Sequence, residues 1–109
     1  MRILWTVNTL MPSVANKLGY GRGHAFKETQ EFIISLSGGF DVIVDDGTNK
    51  KKFTLNRSYY GLYIPRGFWR EMENFTTNAL ALEFASTKYD ENDYIREYKD
   101  FLEYRKFNK

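Results

Sequence analysis

Two spaced sets of residues could do chemistry. In the first, His24-Ala25-Phe26 is followed after four residues by Glu31, and six more separate Glu31 from Gly38. In the second, Pro65-Arg66-Gly67 is followed after two residues by Arg70, and after three more by Asn74. Imidazole exchanges protons most readily near neutral pH, and His24 is the only histidine in the chain. The planar guanidinium fork of Arg70 can hold a carboxylate, phosphate or sugar oxygen in fixed geometry. Together these side chains suit acid–base work on a polar or anionic organic ligand. Tyr63, just upstream of the second set, offers an aromatic face to a sugar ring.

Composition removes most other chemistries. The chain has 109 residues, the usual size of one domain, with 16 Lys and Arg against 14 Asp and Glu. A net charge of +2 suggests neither a nucleic-acid arm nor a polybasic membrane anchor. The absence of cysteine excludes disulfides, thiolate zinc sites and Cys nucleophiles. Nine Phe, eight Tyr and two Trp can fill the small core of a short chain. The apolar runs are far shorter than the roughly 20 residues of a spanning helix. The apolar opening is broken by Thr6, Asn8 and Thr9 with no clear cleavage site, so it does not read as a secretion signal. The expected compartment is the cytoplasm.

The elements that must position these residues follow from periodicity. Alternation and turn residues predict strands over Glu31–Ser37, Phe40–Val44, Phe53–Leu55, Gly61–Ile64, Trp69–Asn74 and Leu80–Ala85. Asp45-Asp46-Gly47-Thr48-Asn49 supplies a hairpin turn, and Lys50-Lys51-Lys52 reads as its solvated tip. Ile95, Tyr98, Phe101, Leu102 and Tyr104 recur at helical spacing behind Asp90, a candidate N-cap. An amphipathic helix of about four turns is therefore expected at the C-terminus. The chain divides into an atypical segment, 1–21, a β domain, 22–86, and a C-terminal helix packed on it, 87–109. If Phe26 and Arg70 keep one register, strand alternation places them in one lumen with His24, Glu31 and Asn74 and turns Trp69 and Glu71 away from it.

The two spaced sets resemble the two motifs of the cupins, which implies an all-β jelly roll with one C-terminal helix. Cupin metals are held by three imidazoles and a carboxylate. Here Phe26 and Arg70 stand at two of the imidazole positions, and a guanidinium repels a cation. The reading is a cupin without a metal.

The resemblance extends to His24-Ala-Phe-Lys27, Gly61-Leu-Tyr-Ile-Pro65, Trp69-Arg-Glu-Met72 and Tyr89-Asp-Glu-Asn-Asp-Tyr-Ile-Arg96. Over about residues 22–104 the chain is similar to the sugar nucleotide 3,4-ketoisomerases, the WxcM-like cupins acting on dTDP-4-keto-6-deoxyglucose. That resemblance implies moving a keto group from C4 to C3 through an enediol, without a cofactor, in a homodimer that exchanges strands. The products feed deoxyamino-sugar synthesis for surface polysaccharides. His24 would carry the proton. Arg22 and Arg70 would hold polar or phosphate oxygens, with Glu31, Tyr63 and Asn74 as further substrate contacts.

The chain departs from this family in three places. The family's second imidazole, its expected base, is Phe26. Glu83 puts a charge into Ala79-Leu-Ala-Leu-Glu-Phe-Ala85, where relatives carry an aliphatic residue. Residues 1–20 resemble the opening of a GT-B glycosyltransferase, which suggests a junction of two reading frames near Gly21–Lys27 and a jelly roll lacking its first strands. An impaired or altered isomerase is thus one reading. The alternative is a non-catalytic cupin module that binds a nucleotide sugar or a partner enzyme.

Overall fold

The computed structural model describes residues 6–10 and 23–108. Among these, nine strands form two antiparallel sheets: β1 (Thr6–Leu10), β2 (His24–Phe26), β3 (Glu31–Ser37), β4 (Phe40–Asp45), β5 (Lys50–Leu55), β6 (Gly61–Ile64), β7 (Trp69–Glu73), β8 (Leu80–Ala85) and β9 (Tyr94–Ile95). One sheet runs β1-β8-β3-β6 and the other β5-β4-β7-β2-β9. One helix, α1 (Tyr98–Phe107), closes the described chain. None of its helices is long and apolar enough to cross a membrane. The all-β jelly-roll expectation holds.

Alternation builds the lumen. On β3, Glu31, Ile33 and Ser35 are buried while Phe32 and Ile34 are half-buried on the other face. Ile33, Ile64 and Ala81 from the four-stranded sheet meet Phe40, Val42, Leu55 and Met72 from the five-stranded one. This apolar cluster fills one part of the space between the sheets. Gly38, which ends the first spaced set, has φ +61°, and a Cβ there would run into Asn78 and the Ala79 backbone.

The hairpin forms as its residues require. The Asp46 carboxylate accepts from the amides of Thr48 and Asn49 at 2.8 and 2.7 Å, with Gly47 at φ +96°. The basic triplet, however, lies inside β5 rather than at a tip. Lys50, Lys51 and Lys52 pair with Asp45, Val44 and Ile43, and all three are exposed. Their stems tolerate a solvent-facing strand edge.

The C-terminal expectation needs correction. Asp90 does act as an N-cap, but of a single 3₁₀ turn, Glu91–Asp93, and the helix begins only at Tyr98. Ile95, read as a helical position, lies in β9 and pairs with Ala25 of β2. The cause is tertiary. The Asp93 carboxylate accepts from the Glu28 and Thr29 amides at 2.7 and 3.2 Å and from the Thr29 hydroxyl. Those bonds hold the chain extended against β2 before it can coil. Residues after 86 thus supply a strand of the barrel as well as the helix.

The helix covers the outer side of β2 and β7. Ala25, Trp69, Ile95 and Phe101 form a second buried cluster, flanked by Tyr98, Leu102 and Tyr104. The Trp69 ring lies 5.3 Å from Tyr98 and 5.6 Å from Phe101 between centroids. Gly23 (φ +86°) lets β2 start there, because a Cβ would sit 2.6 Å from the Trp69 ring. Phe101 is fully buried. Phe101→Ala is expected to lower the unfolding free energy by about 3–5 kcal/mol, read as a shift in the urea midpoint. A loss under 1 kcal/mol would show that the helix is not anchored here.

Candidate functional site

The remaining part of the lumen is polar. His24 on β2 pairs across the strands with Arg70 on β7. Glu31 and Glu83 come from the opposite sheet, on β3 and β8. In their register Ile33 faces Glu83 and Glu31 faces Ala85, so the two carboxyl groups share one inner face, offset by two residues. His24, Glu31, Arg70 and Glu83 are between 1% and 4% exposed.

Arg70 ties this group together. Its Nη1 donates to Glu31 Oε1 at 2.7 Å and its Nη2 to the Phe68 carbonyl at 3.0 Å. The guanidinium carbon stands 4.9 Å from the centre of the Phe26 ring, a cation–π contact. Phe26 meets His24 edge-on at 4.9 Å and Tyr94 at 4.6 Å. Tyr94 in turn carries Arg96 over its ring at 4.2 Å, and Arg96 is held by Glu91 through bonds of 3.0 and 3.1 Å. On its outer side Tyr94 lines a surface hollow of about 460 Å³ together with Lys27, Ile95, Arg96, Tyr104 and Phe107. Tyr94 thus belongs both to that hollow and to the wall of the buried cluster.

Burial sets the protonation states. Desolvation, with the positive charges of Arg70 and Arg96, pushes His24 well below its ordinary value and keeps its ring neutral. Desolvation and the neighbouring Glu31 carboxylate push Glu83 well above the usual carboxylate range, only partly offset by Arg70. The lumen therefore holds one ion pair, one imidazole that resists protonation and one carboxyl that resists ionisation. Burial and Glu31 also raise the Tyr94 phenol to about 12.

These side chains do not make a metal site. Glu31 is engaged by Arg70, Phe26 has no donor atom, and the guanidinium opposes a cation. Among the described residues no three His, Cys, Asp or Glu groups are placed to hold an ion.

The residues singled out from sequence separate into groups. His24, Glu31, Arg70 and Phe26 converge. Trp69 and Glu71 face outward, with Trp69 Nε1 donating to Glu71 at 3.3 Å. Tyr63 is 50% exposed on the outer face, because its neighbours Leu62 and Ile64 point inward, and its hydroxyl bonds Gln30. Asn74 follows the end of β7 at φ 55° and donates to Asp41 at 2.8 Å on the surface. Neither joins the cluster. Arg22 lies outside the described residues. Glu83 was visible in the sequence only as a misplaced charge. Tyr94 was missed as a site residue because helical spacing hid its strand; the burial-prone Tyr-Ile pair after a capped turn was the available signal.

Comparison with known proteins adds to this geometry. The family model described as "FdtA: WxcM-like, C-terminal" matches residues 11–106. A TDP-4-oxo-6-deoxy-alpha-D-glucose-3,4-oxoisomerase of Aneurinibacillus thermoaerophilus is 38% identical over 81 residues, covering 74% of this chain and 58% of that protein. The match thus spans little more than half the length of that curated relative. The crystal structure of the WlaRB TDP-quinovose 3,4-ketoisomerase from Campylobacter jejuni is 40% identical with a TM-score of 0.80, covering 90% of this chain and 74% of that one. The QdtA sugar 3,4-ketoisomerase of Thermoanaerobacterium thermosaccharolyticum, solved in complex with TDP, is 29% identical with a TM-score of 0.79, covering 96% and 74%.

The buried acid and the buried imidazole leave opposite marks on stability. Glu83 keeps its proton in the fold where the unfolded chain would release it, so its contribution is lost as pH rises from about 4.5. His24 stays neutral where the unfolded chain takes a proton, so stability is lost as pH falls below about 6.5. Glu83→Gln removes only the first effect. Its stability advantage over the unmodified chain should grow between about pH 4 and about pH 8 in urea titrations. An advantage that is the same at both ends would mean Glu83 ionises as an ordinary carboxylate.

Proposed function

The chain belongs to the WxcM-like family of sugar nucleotide 3,4-ketoisomerases, and from that membership we propose that it is a metal-independent isomerase of TDP-4-keto-6-deoxyglucose. The observation that carries the reading is a neutral imidazole, His24, fixed beside the Arg70 guanidinium in the lumen of this fold. A neutral imidazole can accept a proton from C3, the carbon next to the keto group, and return one at C4 through an enediol. Arg70, whose Nε is buried without a hydrogen-bond partner among the described residues, can hold a sugar oxygen as the charge shifts. The donor set supports chemistry without a metal. The product would serve deoxyamino-sugar synthesis for surface polysaccharide in the cytoplasm.

The working form is proposed to be a strand-exchanged homodimer. The outer face of the four-stranded sheet carries Phe32, Ile34, Leu82 and Phe84, half-buried, beside the exposed Leu36 and Tyr63. A second copy would cover this apolar face and complete open strand edges. Light scattering should give twice the mass of one chain, 12.9 kDa each; a monomer at micromolar concentration would refute the dimer.

Phe26 favours a second reading, a module that binds the nucleotide sugar without turning it over. Incubation with TDP-4-keto-6-deoxyglucose, followed by NMR of the sugar, separates the two. Turnover that falls at least about 100-fold in His24→Ala supports the isomerase, and Phe26→His should raise the rate by adding a second imidazole. Binding of TDP with no turnover in the unmodified chain would leave the binding module.

A further inference from the structure

A 3,4-ketoisomerisation moves protons at four atoms. C3 loses one and C4 gains one, while the C4 oxygen gains one and the C3 oxygen loses one. One imidazole can serve both carbons in turn, but the oxygens need a second group. Phe26 carries no exchangeable proton. Glu31 is committed to Arg70 at 2.7 Å. The Tyr94 phenol, raised to about 12, parts with its proton reluctantly.

Glu83 is the remaining acid of the lumen. It lies on the inner face of β8, 2% exposed, two residues from the buried Ala81. The groups facing it are Glu31 from β3, Arg70 from β7 and Tyr94 from β9, and Asn8 of β1 is its strand partner. His24 enters from the opposite sheet, beside Arg70. A charged carboxylate in an apolar strand is costly to bury, and that burial, with the Glu31 charge beside it, raises the proton affinity of Glu83 against the opposing pull of Arg70.

We propose that Glu83 is the second proton carrier of this site, exchanging protons with the two sugar oxygens while His24 serves the two carbons. The proposal rests on the ketoisomerase reading above. In the first half, His24 takes the C3 proton as Glu83 gives its proton to the C4 oxygen. The electron pair of the C3–H bond becomes the C3–C4 double bond, and the C4 carbonyl becomes a hydroxyl. In the second half, protonated His24 delivers its proton to C4 and the Glu83 carboxylate takes the proton from the C3 oxygen. The C3 carbonyl forms, and both residues return to their starting states. No oxidant or further reactant is required.

The test compares the unmodified chain with Glu83→Gln and Glu83→Leu in heavy water, with TDP-4-keto-6-deoxyglucose as substrate. Gln keeps the shape without the acid, and Leu suits a buried strand. Sugar NMR reads turnover and deuterium entry at C3, calorimetry reads TDP binding, and circular dichroism reads the fold. The expected result is unchanged fold and TDP binding in both variants, with turnover reduced about 10²–10⁴-fold and C3 exchange reduced with it. Turnover near the unmodified rate in either variant would overturn the role of Glu83 and leave the isomerase reading intact. Loss of TDP binding together with turnover would make Glu83 structural and also overturn it. An unmodified chain that binds TDP but neither turns over nor exchanges would overturn both readings.

Discussion

The bond between Arg70 and Glu31 crosses the lumen from the five-stranded to the four-stranded sheet, with both side chains almost fully shielded from water. Burying two charges costs more than their attraction returns unless further partners are present. The Phe68 carbonyl and the Phe26 ring supply them on the Arg70 side. The rest of the cluster is buried around this pair. Burial lowers the proton affinity of His24 and raises that of Glu83; the positive end of the pair adds to the first shift and the negative end to the second. Removing either charge would leave the other unpaired in an apolar interior.

The scaffold keeps that pair where it is. Trp69, next in sequence to Arg70, points the other way into Tyr98 and Phe101. The helix thereby fixes β7 from behind while Arg70 acts in front. Asp93 does the same for β2: its bonds to Glu28 and Thr29 bring β9 alongside His24 and Phe26. That places Tyr94 against the imidazole, so the C-terminal segment completes the wall of the site as well as the core.

The chemistry available here differs from a two-imidazole design. Phe26 occupies its position as a packing residue, in ring contact with His24, Tyr94 and Arg70. It contributes shape and cation–π stabilisation and has no exchangeable proton, so the titratable groups of the lumen are His24, Glu31, Arg70 and Glu83. A buried acid and a buried imidazole with oppositely shifted affinities for protons form the kind of pair that divides acid and base roles at neutral pH.

Much of this was legible in the sequence, because it depends on short-range rules. Period-two alternation together with the spacing of the two sets indicated which side of β3 and β7 faces inward, so Arg70 and Glu31 could be assigned to the lumen and Trp69 away from it. The spacing of the two sets placed them in a jelly roll. Other features needed contacts between distant residues. Ile95 and Asp93 carry helix-compatible spacing, yet their partners are Ala25, Glu28 and Thr29, more than sixty residues away, and those bonds override the local pattern. Tyr63 and Asn74 keep motif positions but point to the surface. Glu83 reads in the chain as a charge out of place. Only the tertiary structure sets it beside Glu31 and Arg70, because a proton affinity is decided by neighbours and burial, which no linear spacing encodes.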